Sequence, residues 1–204
     1  MTIKTPARVA ILAALAAFTI WGVASSSGAP TTSHHHGGAK GKAGHGLAGK
    51  LARARIATAQ YAFDLDAAKK AGYKQITPVM HNMGLHYLNP DITKFDVTKP
   101  PILVYSRRDG KYQLGALEWV FPKKPKKAPL KGAKYGSFPA ACHYDDGTFV
   151  TADSEADCKP KNQNGSPFFF WHPDLVTLHV WLWYPNPDGL YASMNPFVAP
   201  FNGG

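Results

Sequence analysis

The sequence predicts an α+β protein in which an N-terminal helix is followed by a mostly antiparallel β-sheet or a small β-barrel. Between residues 47 and 72, apolar residues recur at near-helical spacing, while Lys and Arg fall mostly elsewhere. Residues 100–122 contain two β-rich runs around an Asp-Gly dipeptide, which is a strong hairpin signal. A further apolar run at residues 175–185 predicts a strand near the C-terminus.

The predicted helical segment, LAGKLARARIATAQYAFDLDAAKKAG, forms either one helix or two shorter pieces. Ile56 and Phe63 belong to the apolar face that the near-helical spacing defines. Lys69 and Lys70 suit the last turn of a helix, where cations interact favourably with the helix dipole. Gly72 suits the left-handed position that ends a helix. Most of the following sequence has the character of strands and turns.

The first 24 residues have the pattern of a secretory signal peptide. Lys4 and Arg8 accompany an unbroken apolar run at residues 9–24, and small residues suit cleavage after Ala24. An uncleaved N-terminal anchor is the alternative, although the apolar run is short beside the roughly 20 residues of a spanning helix. Export of the chain is therefore expected, to a secreted or envelope-associated location.

The rest of the chain divides into a linker and a folded part. Residues 25–46 are rich in Gly, Ser, Thr, Lys and His and predict a flexible linker, within which His34–His36 resemble a purification tag. Residues 47–204 have the length of a single globular domain. No later run is long and apolar enough to cross a membrane, so no transmembrane span is expected in the mature chain. The oligomeric state is left open.

Cys142 and Cys158 are the only two cysteines of the chain. In an exported protein an even pair predicts a disulfide bond. The loop between the two cysteines is acidic and rich in turn-forming residues, so a covalent link would stabilise it, by about 3 kcal/mol for a loop of this length. A nucleophilic pair of Cys142 with His143 is the alternative, but it requires a reduced thiol outside the cytoplasm.

The formal net charge is +10, and a lysine-rich, proline-broken segment at residues 122–134 contributes much of it. Such a segment is more often a solvated loop than a binding surface. Outside the cell the available partners are anionic envelope polymers. The segment lacks interleaved aromatic residues, so nucleic acid is not an expected partner. The lysines that would carry polyanion binding are Lys123, Lys124, Lys126 and Lys127.

Two strand segments carry a polar residue where only apolar ones are expected. Glu118 lies within LEWVF, and His179 lies within TLHVWLWY. A strand that is apolar on both faces is usually buried on both. A buried ionised carboxylate is costly unless it is paired or bound to a cation. Glu118 therefore needs a partner, and an imidazole or a metal ion is the natural one.

Further histidines could join this group. His81 and His86 lie on either side of Gly84, which permits a bend that would bring them to one side. His172 precedes Pro173, which favours an extended backbone. Several imidazoles with one carboxylate form a common ligand set for zinc, copper or iron. The candidate metal ligands are His86, Glu118, His179, His81 and His172.

The alternative for each of these histidines is a hydrogen-bonded structural role, and Glu118 with His179 could be a buried polar bridge. His143 and His45 are weaker candidates, because they lie in the acidic loop and in the linker. The chain has no G-x-S-x-G, H-E-x-x-H or C-x-x-C motif and no glycine-rich phosphate loop. Whether the protein is an enzyme is therefore left open.

Three separated segments, MGLHYLNP, PILVYSRRDGKYQLGALEWV and LHVWLWYPNPDGLYASMNP, carry a family resemblance. In this combination the chain resembles an uncharacterised family of exported bacterial proteins with M-G-x-H-Y-x-N-P and L-H-V-W-x-W-x-x-N-P-x-G motifs, from about residue 55 to the end. The resemblance implies export and a shared site around His86, Glu118 and His179, and it implies no activity. The matching positions are Met83, Gly84, His86, Tyr87, Asn89, Pro90, Glu118, His179, Trp181, Asn186, Pro187, Gly189, Asn195 and Pro196.

Two functions of different classes follow from these features. The first is metal binding by an exported protein, with His86, Glu118 and His179 at the centre and His81 and His172 as auxiliary ligands or orienting groups. The second is a non-catalytic envelope-binding module in which the lysine-rich loop holds an anionic polymer. The second function predicts that replacing the lysines abolishes retention at the envelope and that retention depends steeply on salt.

Overall fold

The structure is a computed structural model that describes residue 44 and residues 46–203. The predicted signal peptide, most of the predicted linker, and His45 lie outside the described residues. Two short helices come first, α1 (Leu47–Thr58) and α2 (Leu65–Lys70), separated by a 3₁₀ turn at Ala59–Tyr61. The Asp64 side chain caps α2 by accepting the Ala67 N–H at 2.8 Å, and Gly72 follows α2 with a φ of 96°.

The predicted apolar face of the helical segment is wrong in one respect. Ile56 and Phe63 are exposed, whereas Ala54 and Thr58 are buried. The spacing of Ile56 and Phe63 assumes one continuous helix, but the chain leaves the α-helical path between residues 59 and 64. The break lies between Ile56, which is on α1, and Phe63, so their spacing does not define one helical face.

Nine strands follow: β1 (Lys74–Gln75), β2 (Leu85–Leu88), β3 (Ile102–Arg108), β4 (Lys111–Phe121), β5 (Gly136–Phe138), β6 (Ala141–Tyr144), β7 (Phe149–Thr151), β8 (Phe168–His172) and β9 (Leu175–Val180). A six-stranded sheet has the order β1-β2-β3-β4-β9-β5, and a three-stranded sheet has the order β7-β6-β8. Every strand pair is antiparallel. The α+β class is confirmed, and the residues described here form two open sheets in place of the alternative closed barrel.

The predicted hairpin around Asp109–Gly110 is confirmed as β3 and β4. Asp109 has a φ of 51° and Gly110 a φ of 76°, and a two-residue turn with two positive φ angles matches the right-handed twist of the strands it joins. The hairpin makes β4 the centre of the large sheet, with its middle residues fully buried.

The short helix α3 (Ala199–Asn202) ends the described chain and packs against β3. The predicted disulfide is present between Cys142 on β6 and Cys158, which follows a 3₁₀ turn at Glu155–Asp157. In the part of the chain that is described, no helix has the length and apolar character needed to cross a membrane.

A tight turn at Met80–Gly84 sets the start of β2. The Gly84 N–H donates to the Met80 carbonyl at 2.7 Å, and Gly84 has a φ of 112°. A Cβ atom at residue 84 would overlap the carbonyl oxygen of Tyr105 on the neighbouring strand. Only glycine therefore allows β2 to approach β3 here, and the approach places His86 two residues into the sheet.

We expect Gly84→Ala to destabilise the domain by well over 2 kcal/mol, since it adds a backbone clash to an unfavourable φ. Gly110→Ala is the matched control, because residue 110 also has a positive φ but has open space around it. The control should lose about 1 kcal/mol, the cost of the φ angle alone. Urea unfolding of both variants measures the difference, and equal losses would contradict the proposed close approach.

Candidate metal site

Three neighbouring regions of the large sheet each supply one polar side chain. His86 lies on β2, Glu118 on β4 and His179 on β9. Glu118 pairs with His179 directly across the β4–β9 ladder, and Ile102 of β3 is its partner on the other side. His86 pairs with Val104, two residues along β3 from Ile102, so it extends to Glu118 across the intervening strand. Because alternate residues share a face, the register places all three side chains on one face.

The three side chains meet in a nearly equilateral triangle, here called the His86–Glu118–His179 cluster. Glu118 Oε2 lies 3.5 Å from His86 Nε2 and 3.4 Å from His179 Nε2, and the two nitrogens are 3.5 Å apart. The side chains belong to residues that are only 4–6% exposed. One ligand atom from each residue thus converges on a common point, and the cluster could hold a metal ion.

The distances within the triangle can be compared with those between the ligand atoms of tetrahedral and octahedral metal ions. Ligand atoms bonded to zinc at 2.0–2.1 Å with tetrahedral angles lie about 3.3–3.4 Å apart. Neighbouring ligands of an octahedral ion with the same bond lengths lie only about 2.9 Å apart. The observed separations of 3.4–3.5 Å are closer to the tetrahedral than to the octahedral value.

Burial decides the charges of the cluster. It raises the pKa of Glu118 to about 8 and lowers the pKa of His179 to about 4. Burial, with a smaller contribution from His179, lowers the pKa of His86 to about 3. Near neutral pH the metal-free cluster therefore consists of a protonated carboxyl group and two neutral imidazoles. Glu118 Oε2 thus lies 3.4–3.5 Å from the Nε2 atoms of two neutral imidazoles, and these contacts are not ion pairs in the metal-free protein.

Thr77 holds His86 in place. Its hydroxyl lies 3.1 Å from His86 Nδ1 and accepts the backbone N–H of His86 at 3.1 Å. A hydrogen bond at Nδ1 orients the ring and leaves Nε2 pointing at Glu118 and His179. Metal-binding histidines are characteristically oriented in this way by a partner at the second ring nitrogen.

The cluster faces a cavity of about 370 Å³, a size typical of small-molecule sites. The other residues of its wall are mostly apolar, and they include Ile76, Leu88, Ile102, Val120, Phe138 and Leu175. An ion in the cluster would thus be next to apolar space, from which a small ligand could reach the ion.

The remaining candidate ligands are not part of this cluster. His81 is exposed and lies beside Gly203, and its carbonyl accepts the Asn202 side-chain amide at 3.2 Å. His172 lines the same cavity, but its Nε2 lies 3.1 Å from Nε2 of His143. The structure brings together His86, Glu118 and His179, and it places His172 in a separate histidine pair.

The sequence predicts His143 in an acidic loop, and this is wrong, because His143 lies on β6 and is fully buried. Its ring stacks on Phe170 with the centroids 4.6 Å apart. The signal that could have revealed it is local, because ACHY reads as a short apolar strand before the acidic turn begins at Asp145. Its partner could not be read from the sequence, since β8 starts more than 20 residues later.

Lys123, Lys124, Lys126 and Lys127 are all exposed, in the segment between β4 and β5. Lys124 lies over the ring of Tyr135, with Nζ 5.6 Å from the ring centroid. Exposure is what binding to an anionic polymer requires, and that function stays a prediction.

No protein family, curated protein or solved structure matches the chain.

Relative to Glu118→Gln, the metal-free protein should lose stability as the pH rises from 6.5 to 8. In this window the folded state retains the Glu118 proton and the unfolded state, with a pKa near 4.5, has lost it, so raising the pH favours unfolding. The buried histidines act in the opposite direction around pH 6.5, since their folded pKa values are lowered, and they contribute equally with and without Glu118. We therefore expect the free energy of unfolding, taken relative to Glu118→Gln, to fall by about 1 kcal/mol per pH unit.

Urea unfolding in the presence of a chelator measures this slope. Glu118→Gln is the control, because it keeps the size of the side chain and removes the titrating group. The free energies of unfolding of the two proteins should therefore change relative to each other by about 1 kcal/mol per pH unit in this window. Parallel pH profiles would show that Glu118 is already ionised in the fold.

Proposed function

We propose that the protein is an exported metal-binding protein that holds one divalent ion of the zinc type through His86, Glu118 and His179. The observation that carries the proposal is the triangle of ligand atoms, with all three sides between 3.4 and 3.5 Å. Two imidazoles and one carboxylate with an open fourth position form the ligand set of a class of accessible zinc sites.

The charges of the cluster favour a divalent ion. Both imidazoles are neutral near pH 7, so their Nε2 lone pairs are available without loss of a proton. Glu118 must release its proton when the ion binds, and the resulting carboxylate offsets one of the two positive charges. The ion thereby removes the unfavourable burial of the carboxylate, which the fold alone meets only by protonation.

The open position faces the apolar cavity, and this supports binding of a small organic molecule beside the ion. An ion with three protein ligands keeps one position that a water molecule or an incoming ligand can exchange. A cavity of about 370 Å³ accommodates such a ligand, and its apolar wall selects for one with apolar surface.

The proposed export rests on sequence features together with one feature of the fold. The basic residues, apolar run and small residues of positions 1–24 have the signal-peptide pattern. The Cys142–Cys158 disulfide is compatible with an oxidising compartment. Membership of the exported family suggested by the three motifs belongs to the same proposal.

Metal content tests the proposed site. The whole chain is prepared with His34, His35, His36 and His45 changed to Ala, here called the parent protein, so that the linker histidines do not contribute. After loading with zinc and dialysis, elemental mass spectrometry gives the number of ions per chain. Glu118→Gln and His179→Asn should each contain one ion fewer than the parent protein.

His81→Asn is the matched control, since His81 is an exposed histidine outside the cluster. It should keep the zinc content of the parent protein. Loss of zinc in His81→Asn would return His81 to the ligand set. Retention of all the zinc in both Glu118→Gln and His179→Asn would overturn the proposed site, and incubation with copper and iron(II) in parallel identifies a different preferred ion.

Thr77→Val should weaken zinc binding about 10- to 100-fold without changing the number of ions, because it removes the group that orients His86. Thr58→Val is the control. Thr58 is another buried threonine with a hydrogen-bonded hydroxyl, which accepts the Trp183 indole N–H at 2.9 Å, but it is outside the site. Competition with a chromophoric chelator measures both affinities, and equal effects would mean that Thr77 acts only through stability.

A further inference from the structure

His143 and His172 form a second polar group on the wall of the same cavity. They lie on adjacent strands of the small sheet, β6 and β8, and are 0% and 8% exposed. Their Nε2 atoms are 3.1 Å apart. This His143–His172 pair is separate from the His86–Glu118–His179 cluster, which lies on the large sheet.

The other nitrogen of each ring is committed to a backbone carbonyl. His143 Nδ1 donates to the carbonyl of Ile76, and His172 Nδ1 donates to the carbonyl of Pro173, both at 2.7 Å. A carbonyl oxygen can only accept, so each Nδ1 carries the ring proton. In two neutral rings both Nε2 atoms are then acceptors, and two lone pairs point at each other with no proton between them.

Such an arrangement needs a positive centre between the two nitrogens. A shared proton is one solution, but it would charge a pair enclosed by the rings of Phe138, Phe149 and Phe170. Burial lowers the pKa of His143 to about 4 and that of His172 in the same direction. The surroundings therefore keep both imidazoles neutral, which is the form in which histidine binds metals.

We propose that His143 and His172 form a second metal site, which binds a transition-metal ion that prefers imidazole nitrogen. Two Nε2 atoms bonded to one ion at 2.0–2.1 Å lie about 2.9–3.4 Å apart for bond angles between octahedral and tetrahedral, and the observed 3.1 Å falls within this range. The carbonyls at Nδ1 supply the orienting hydrogen bonds that metal-binding histidines need.

The absence of a carboxylate distinguishes this pair from the first cluster. Among the described residues no third His, Cys, Asp or Glu joins His143 and His172 in a ligand group. A divalent ion there keeps both charges unless an anion enters from the cavity, whereas a cuprous ion brings a single charge. Imidazole suits both zinc and copper, so Zn²⁺ and Cu⁺ are the two probes.

The two sites are structurally linked but chemically independent. Ile76 and Thr77 are consecutive residues, and they hold His143 and His86 respectively. The second site does not depend on the function proposed for the first, because no ligand atom is shared between them.

Substitution with asparagine tests the second site with little change to the fold. In His143→Asn and His172→Asn the side-chain amide can replace Nδ1–H as the donor to the carbonyl, while the Nε2 ligand is removed. The parent protein defined above is titrated with Zn²⁺ against a chromophoric chelator and, with ascorbate as reductant, with Cu⁺. We expect each variant to lose one bound ion that Glu118→Gln retains, with at least a 100-fold loss of affinity at that site.

The outcomes separate the two proposals. If both Asn variants bind as much Zn²⁺ and Cu⁺ as the parent protein, the second site is overturned. If the parent binds one ion that is lost only in Glu118→Gln, the second site is again overturned and the first stands. If the only ion is lost in the Asn variants alone, the first site is overturned and the second stands.

If a variant fails to fold, nitrogen NMR of the His143 and His172 rings in the parent protein tests the site directly. Each ring should show a protonated Nδ1 and an unprotonated Nε2 before metal is added. Binding should shift both Nε2 resonances and leave the Nδ1 protons in place. Resonances of His143 and His172 that do not move with either ion would overturn the proposal.

Discussion

The structure depends on a carboxyl group buried in the middle of its central strand. Glu118 lies on β4 between two apolar neighbours, with no arginine or lysine beside it among the groups that shift its pKa. Burial raises the pKa of Glu118 to about 8, so the fold keeps the carboxyl group protonated near neutral pH. Such a residue calls for a functional explanation, and the two imidazoles at 3.4–3.5 Å, with which it could hold a metal ion, support the proposed metal site.

The segment between β1 and β2 connects this carboxyl group to the rest of the cavity. Ile76 and Thr77 are buried, and each orients one histidine by a hydrogen bond to Nδ1. The turn that ends at Gly84 then returns the chain so that the Ile76 N–H donates to the His86 carbonyl. One short segment thereby positions ligand atoms on both sheets, and a change in its backbone would alter both histidine groups together.

The cavity lies where the two sheets face each other, since residues of both line it. The large sheet contributes two histidines and a carboxyl group, and the small sheet contributes two histidines. The disulfide anchors β6 at the residue next to His143, so it stabilises the strand that carries one member of the His143–His172 pair. The disulfide and the hydrogen bonds at Nδ1 both restrict the motion of the buried histidine side chains.

The sequence alone determined the elements that short-range conformational preferences specify. Asp109–Gly110 specified a hairpin because a two-residue turn needs two positive φ angles, and the two cysteines specified their only intramolecular pairing. Glu118 and His179 were recognisable because a polar residue in an apolar strand requires a partner. The apolar spacing of Ile56 and Phe63 led to a wrong prediction of the buried helical face, because the break at residues 59–64 is not visible in a helical pattern. Tertiary structure alone decided that His143 pairs with His172 and that His81 stays outside, because these contacts depend on which distant strands become neighbours.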